Sequence, residues 1–392
     1  MKFNILHFFE YILILIIFTV VTGCSASTGK DIYINRVQFA KHIIVPRGNP
    51  DTISYNYRHF TGVFPNGKMV VMDLTVVKNS LITGYYYIKQ SALNLELTGR
   101  ISDSLVTMFS ADSSMLFTGK ILKNNEITGK WIGSDGQNYN IQLIENYPTS
   151  VSFTGYSEVR QIKMAETDSV SVYNYFIQYL HPKLPVTTKK ERGLVQIIEK
   201  GTFGECAKFN NPSKSIDSVI NKNAQEYKLL QSSYDSIFIS SMYMWESYLS
   251  STVYFNDEYI LTLATNFYDF KGGAHGFGGT SFAVYDIKSG NKLDLWDILL
   301  VEHENEIEAL LIQKLFGYFM VDSKEELNNY LFDSEELKLT ENIAVNNQGI
   351  TFLYLPYEIA PYAHGPILVT INYSEIKEFL KLGTALHRII PK

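Results

Sequence analysis

The chain has only two cysteines in 392 residues, at Cys24 and Cys206. No disulfide framework can hold it together, so stability has to come from buried apolar surface. Two cysteines also exclude a zinc ribbon and an iron–sulfur cluster. An excess of one charge sign is lacking as well: 34 Lys and Arg against 40 Asp and Glu leave a net charge of only −6. Nucleic-acid binding demands a basic face, so no nucleic-acid partner is expected. There is no Gly-x-Ser-x-Gly elbow, which removes the usual basis for a serine hydrolase. Neither a P-loop nor a dinucleotide fingerprint is present, and no cofactor is expected. No apolar run reaches the roughly 20 residues that a membrane-spanning helix needs. With 46% hydrophobic and 19% charged residues, the composition is that of a globular chain rather than a disordered one.

What is present begins with Tyr11 to Val21, an apolar run preceded by Lys2 and followed by Thr22-Gly23-Cys24. A short apolar core leading through small residues to a cut site is the pattern of a secretory signal peptide. A cysteine at that cut resembles the bacterial lipobox, and the resemblance implies that residues 1–23 are removed and Cys24 carries lipid. The membrane is then a partner through the anchor, and no intramolecular disulfide can form with Cys206. Cys206 is expected to be a packed thiol or a loop residue rather than a nucleophile. Ser25, rather than Asp, follows the cysteine. The usual sorting rule then places the protein at the outer membrane, facing either the periplasm or the exterior. Residues 24–51 read as a linker ending in the turn cluster Pro46-Arg47-Gly48-Asn49-Pro50.

Residues 52–147 read as a β-meander domain. Leu93, Leu95 and Leu97 alternate with Asn94, Glu96 and Thr98, and Tyr139, Ile141 and Leu143 alternate with Asn138, Asn140 and Gln142. That is the period of strands buried on one face. Eight such runs lie near 53–60, 69–77, 82–88, 93–99, 104–109, 115–122, 126–132 and 138–144, separated by turn residues. Thr-Gly recurs at 61–62, 83–84, 98–99, 118–119 and 128–129. Glycine inside strands marks bulges or strong curvature. The meander is expected to be either an open sheet or a small closed barrel.

From about residue 150 the texture changes to α+β. Helical periodicity appears at 213–232, at 302–319 and from Ser374, where Ser374 is expected to cap. Strands are expected at 259–266, 280–286 and 367–371.

Two segments of this second part could carry chemistry. One is Lys271-Gly272-Gly273-Ala274-His275-Gly276-Phe277-Gly278-Gly279; the other runs from Leu355 through Tyr357, Glu358, Tyr362 and His364 to Pro366. Their spacing lacks a helical His-x-x-x-His pair, and no metal site or catalytic residue is assigned. Gly272, Gly273 and Gly276 are expected to supply backbone conformations for a tight loop between strands.

At these segments the sequence resembles a known bacterial domain. Gly272-Gly273-Ala274-His275-Gly276, then Asp286-Ile287-Lys288-Ser289-Gly290, then Leu293-Asp294-Leu295-Trp296-Asp297-Ile298 follow its core pattern, and Tyr357 to Gly365 with Ile371 to Ile376 follow its C-terminal signature. It is the RsiV/PdaC-type extracytoplasmic domain of unknown function, and the likeness spans about 150–385. The resemblance implies an α+β domain outside the cytoplasm that in one branch binds lysozyme. The leading expectation is a non-catalytic binding module for a protein or glycan ligand. Gly272, Gly273, His275, Gly276, Tyr357, Glu358 and Tyr362 are the candidate binding residues. One alternative is an enzyme acting on glycans through His275, Glu358 and Asp269; another is a structural lipoprotein of the cell envelope.

Overall fold

Eight antiparallel strands close on themselves at the start of the computed structural model, which describes residues 55–77, 80–89, 94–122, 125–133, 136–164, 171–230 and 243–390. They are β1 (Tyr55–Val63), β2 (Met69–Val77), β3 (Leu81–Ile88), β4 (Leu95–Ser102), β5 (Leu105–Ser110), β6 (Leu116–Ile121), β7 (Glu126–Ile132) and β8 (Asn138–Glu145). Each pairs with the next, and β1 pairs with β8 through Phe60↔Glu145 and Gly62↔Leu143, so the meander is a closed barrel. Cys24, the signal segment 1–23 and the linker 24–51 lie outside the described residues.

Alternation explains the barrel wall. Phe60, Met72, Leu97, Met108, Phe117 and Leu143 face inward and are fully buried, while their strand neighbours face outward. The Thr-Gly repeat has a steric cause. Gly119 and Gly129 are register partners on β6 and β7. A Cβ on Gly129 would lie 2.3 Å from the Thr118 carbonyl oxygen and 2.8 Å from the Phe117 ring. Strong curvature brings adjacent strands too close there for any side chain.

The rest of the described chain is α+β. A six-stranded sheet runs in the order β14-β13-β12-β11-β10-β9. Its members are β9 (Phe153–Lys163), β10 (Val172–Pro182), β11 (Trp245–Asp257), β12 (Ile260–Phe270), β13 (Phe277–Asp286) and β14 (Asn291–Leu293). All pairs are antiparallel except β10 with β11. Between these two the chain forms helices α1 (Lys189–Phe203) and α2 (Pro212–Leu229), since parallel neighbours need a long crossover. A second sheet, β15 (Ile343–Val345), β16 (Gly349–Tyr354) and β17 (Ile367–Asn372), packs with helices α3 (Leu295–Ile298) and α4 (Glu304–Phe319) around Leu311, Phe352 and Ile371. Cys206 is half-buried against the aromatic core around Tyr173 and Tyr227.

Two helix termini differ from expectation. The C-terminal turn Tyr373–Ile376 is capped by Asn372, not Ser374, with Glu375 closing a capping box. Asn372 ends β17, so the cap falls at the junction of strand and helix. Helix α1 is absent from the expected set, yet it opens on a capping box in which Thr188 and Glu191 satisfy each other's backbone N–H. Thr188→Ala should lower stability by about 1 kcal/mol in urea denaturation. A loss under about 0.3 kcal/mol would mean that packing alone sets the start of α1.

The barrel and the remaining sheets belong to one compact unit. Their junction is polar and buried. Asn256 donates to the Tyr57 hydroxyl at 2.8 Å, the Tyr57 hydroxyl donates to Asp73, and His59 Nδ1 lies 2.8 Å from the same carboxylate. Beside it, Asp257 accepts from Tyr87 at 2.5 Å, Thr149 at 2.8 Å and Lys89 at 2.9 Å. Among the described residues no helix is long and apolar enough to cross a membrane.

Candidate functional site

The glycine segment turns the chain from β12 into β13, with Asp269 opposite Phe277. Gly272 and Gly273 have φ of 86° and 95°, a region closed to most side chains. Gly276 is favoured by space rather than by backbone conformation. A Cβ there would stand 2.4 Å from the Tyr268 hydroxyl oxygen. Burial, followed by the nearby Glu246 and Tyr362, raises the pKa of that phenol, so Tyr268 stays neutral.

The Gly276 carbonyl oxygen organises two rings. Tyr362 donates its hydroxyl to it at 3.0 Å, and His275 Nδ1 also lies 3.0 Å away. A carbonyl only accepts, so this contact assigns the imidazole proton to Nδ1. The two rings stack with centroids 4.4 Å apart, and Tyr357 continues the row 5.5 Å from Tyr362. Tyr357 is 53% exposed. Its φ of 72° is costly for a bulky residue. It is held by a turn in which Tyr357 N–H donates to Ala360 O at 3.0 Å. Glu358 Oε2 accepts from Leu355 N–H at 2.8 Å in the same turn.

The result is an exposed ledge of His275, Tyr362 and Tyr357 built from two loops 86 residues apart. A second group adjoins it through His364, which lies edge-on to Phe319 and Tyr330, each 5.8 Å away. Phe277, 41% exposed, sits on the strand that leaves the glycine loop. The sequence made His275, Tyr357 and Tyr362 candidates; Phe277 lay within the first segment without being singled out, and Tyr268, Phe319 and Tyr330 were not candidates. Tyr268 is the register partner of Gly278 on β13, two residues past Gly276.

The three side chains considered for glycan chemistry are not joined in a cluster. Asp269 accepts from the Ser247 hydroxyl, Glu358 holds its own turn, and His275 is bonded to Gly276. Among the described residues no three His, Cys, Asp or Glu gather to hold a metal ion.

The described residues thus form a mostly β, α+β protein with a closed barrel ahead of the mixed sheets. Residues 297–374, which include the Tyr357–Tyr362 half of the ledge, match a family described as "Protein of unknown function (DUF3298)", and the C-terminal part of the chain carries that domain. A DUF3298 family member from Bacteroides fragilis has a similar crystal structure, at TM-score 0.57 and 24% identity, covering 62% of this chain and 99% of that one. The likeness shows a shared fold. A DUF3298 family protein from Pseudomonas aeruginosa aligns at TM-score 0.44 and 19% identity, over 61% of this chain and 97% of its own. No curated protein matches the chain.

Packing at the glycine turn can be separated from the ledge. Gly276→Val should cost about 1–3 kcal/mol, because the new side chain collides with Tyr268. His275→Ala, at an exposed position, should cost within about 0.5 kcal/mol. Urea denaturation of both variants checks the order. Equal costs would mean that the imidazole holds the loop in place.

Proposed function

We propose that this is a cell-envelope lipoprotein, anchored through Cys24, that acts by non-catalytic recognition of a protein or glycan ligand on the His275–Tyr362–Tyr357 ledge. The observation that carries the reading is a surface row of three rings, two of them, His275 and Tyr362, bonded to one backbone carbonyl and the third, Tyr357, packed against Tyr362. Rigid aromatic rings at a surface give large contact area at small entropic cost, whether the partner offers apolar side chains or the faces of sugar rings. A strained Tyr357 is maintained at the rim of the ledge, where no core packing requires it. Catalysis on glycans would need a pair of carboxylates flanking one bond. Glu358 and Asp269 are instead each tied to a separate local partner.

The test is a titration of the full chain with a muramidase and, separately, with soluble cell-wall glycan fragments. Tyr357→Ala should weaken whichever ligand binds by about tenfold or more, equivalent to at least about 1.4 kcal/mol. Binding that is unchanged in Tyr357→Ala and Tyr362→Ala would remove the ledge from the recognition surface. For the anchor, Cys24→Ala should abolish lipid labelling, because acylation needs the thiol. Unchanged detergent partitioning of that variant would overturn the lipoprotein reading.

A further inference from the structure

The two ends of the barrel differ. One is plugged by aromatic rings: Phe64 lies 5.1 Å from Trp131 and 5.6 Å from Tyr139, and Tyr86 lies 5.2 Å from Trp131. The other end holds a cavity of 590 Å³, within the range of small-molecule sites. Val76, Ile101 and Ile121 form its apolar wall, and Phe153 and Lys183 of the α+β part border it.

A charged pair lines this mouth. Arg58 has the parity of inward-facing Phe60 on β1, and Glu145 that of inward-facing Leu143 on β8. Both side chains are mostly covered, at 20% and 16% exposure. Packing alone would favour aliphatic residues here, because charges removed from water are costly. Both oxygens of Glu145 are engaged: Oε2 accepts from Arg58 Nε at 3.0 Å and Nη2 at 2.8 Å, and Oε1 accepts from the Tyr147 hydroxyl at 2.8 Å. Arg58 is not saturated. Its Nη1 makes no hydrogen bond among the described residues, and neither does the Lys183 ammonium. Two cationic residues and one anionic residue therefore line a mouth with an aliphatic wall.

We infer that this end of the barrel is a binding site for a small amphiphilic carboxylate of the medium-chain fatty-acid type. The carboxylate lies toward Arg58 and Lys183, and the alkyl body lies along Val76, Ile101 and Ile121. Eight-stranded barrels commonly either fill their interior or hold one small ligand; this one fills the middle and leaves the mouth. The site is separate from the aromatic ledge and does not depend on it.

Titration of the full chain with decanoate, below its micelle concentration and followed by calorimetry, tests the assignment. One saturable site is expected, with no binding of decyltrimethylammonium, which carries the opposite charge on the same tail. Lys183→Glu changes an exposed residue and should weaken decanoate at least tenfold. Ile101→Trp should fill the wall and abolish binding with the far-ultraviolet circular dichroism unchanged; if that variant misfolds, Lys183→Glu alone decides. Absence of saturable decanoate binding, equal binding of the cationic amphiphile, or unchanged affinity in Lys183→Glu would each overturn the site.

Discussion

Gly155→Val should destabilise the protein by about 4 kcal/mol, at the upper end of single substitutions. Gly155 lies on β9, where β1 of the barrel crosses it. A Cβ there would fall 1.4 Å from the Tyr55 carbonyl oxygen and 2.5 Å from its carbonyl carbon. The obstacle is backbone, so no rotamer change relieves it, and β1 would have to move off the sheet. That movement would disturb the Tyr55 hydroxyl, which donates to Ser251 O at 2.6 Å, and the apolar cluster joining Tyr55 and Tyr57 to Phe153, Leu180 and Leu263. Amide hydrogen exchange should show the damage concentrated in β1 and β9, with the far side of the barrel still protected. Gly193→Ala is the control. Gly193 sits inside α1 with open space around it, so the change should stabilise by about 0.5–1 kcal/mol. A loss under about 1 kcal/mol in Gly155→Val would mean that barrel and sheet separate at little cost.

How far the fold was legible depended on which faces of each strand are covered. Most barrel strands were readable because one face looks into the barrel and the other toward solvent, as Leu105–Ser110 shows residue by residue. β2, buried at all but its first residue, was readable only as an apolar run beyond the Pro65-Asn66-Gly67 turn. Closure was not readable, since it rests on β1 meeting β8, with Phe60 opposite Glu145. Strands β10 and β16 escaped for the opposite reason. Nearly all of Val172–Pro182 and all of Gly349–Tyr354 are buried, which erases alternation. At the ledge, the two loop motifs could be recognised singly. Their meeting at the Gly276 carbonyl is a tertiary event, and nothing in either loop encodes the other. The Arg58–Glu145 pair at the barrel mouth is hidden in the same way, because two charges in strand-like sequence read as solvent-facing until the wall curves them inward.

Asp257→Asn should cost about 3 kcal/mol at neutral pH, and the cost should vanish in acid. Asp257 is almost fully buried and ties β3 of the barrel, through Tyr87 and Lys89, to β11 of the sheet. Removing its charge leaves Tyr87, Thr149 and Lys89 facing a weaker acceptor and a buried amide group without a matched partner. Burial acts to raise its pKa, but Lys89 and the Tyr87 and Thr149 hydrogen bonds outweigh burial and hold it below the ordinary 3.8. The sign follows from proton uptake. Between the lowered folded value and 3.8 the unfolded chain binds more protons at this site than the folded one. The carboxylate's contribution is therefore complete above about pH 4 and is lost as pH falls through the folded pKa. The gap between wild type and Asp257→Asn should stay constant from pH 7 to about pH 4 and close below it. His181 separates from this window. Burial lowers its pKa below the ordinary 6.5, so stability should already fall below about pH 6.5, equally in both proteins. Urea denaturation across pH 2–8 measures the difference curve. A gap that narrows between pH 7 and 5, or one that persists unchanged in strong acid, would show that the Asp257 charge does not hold the barrel to the sheet.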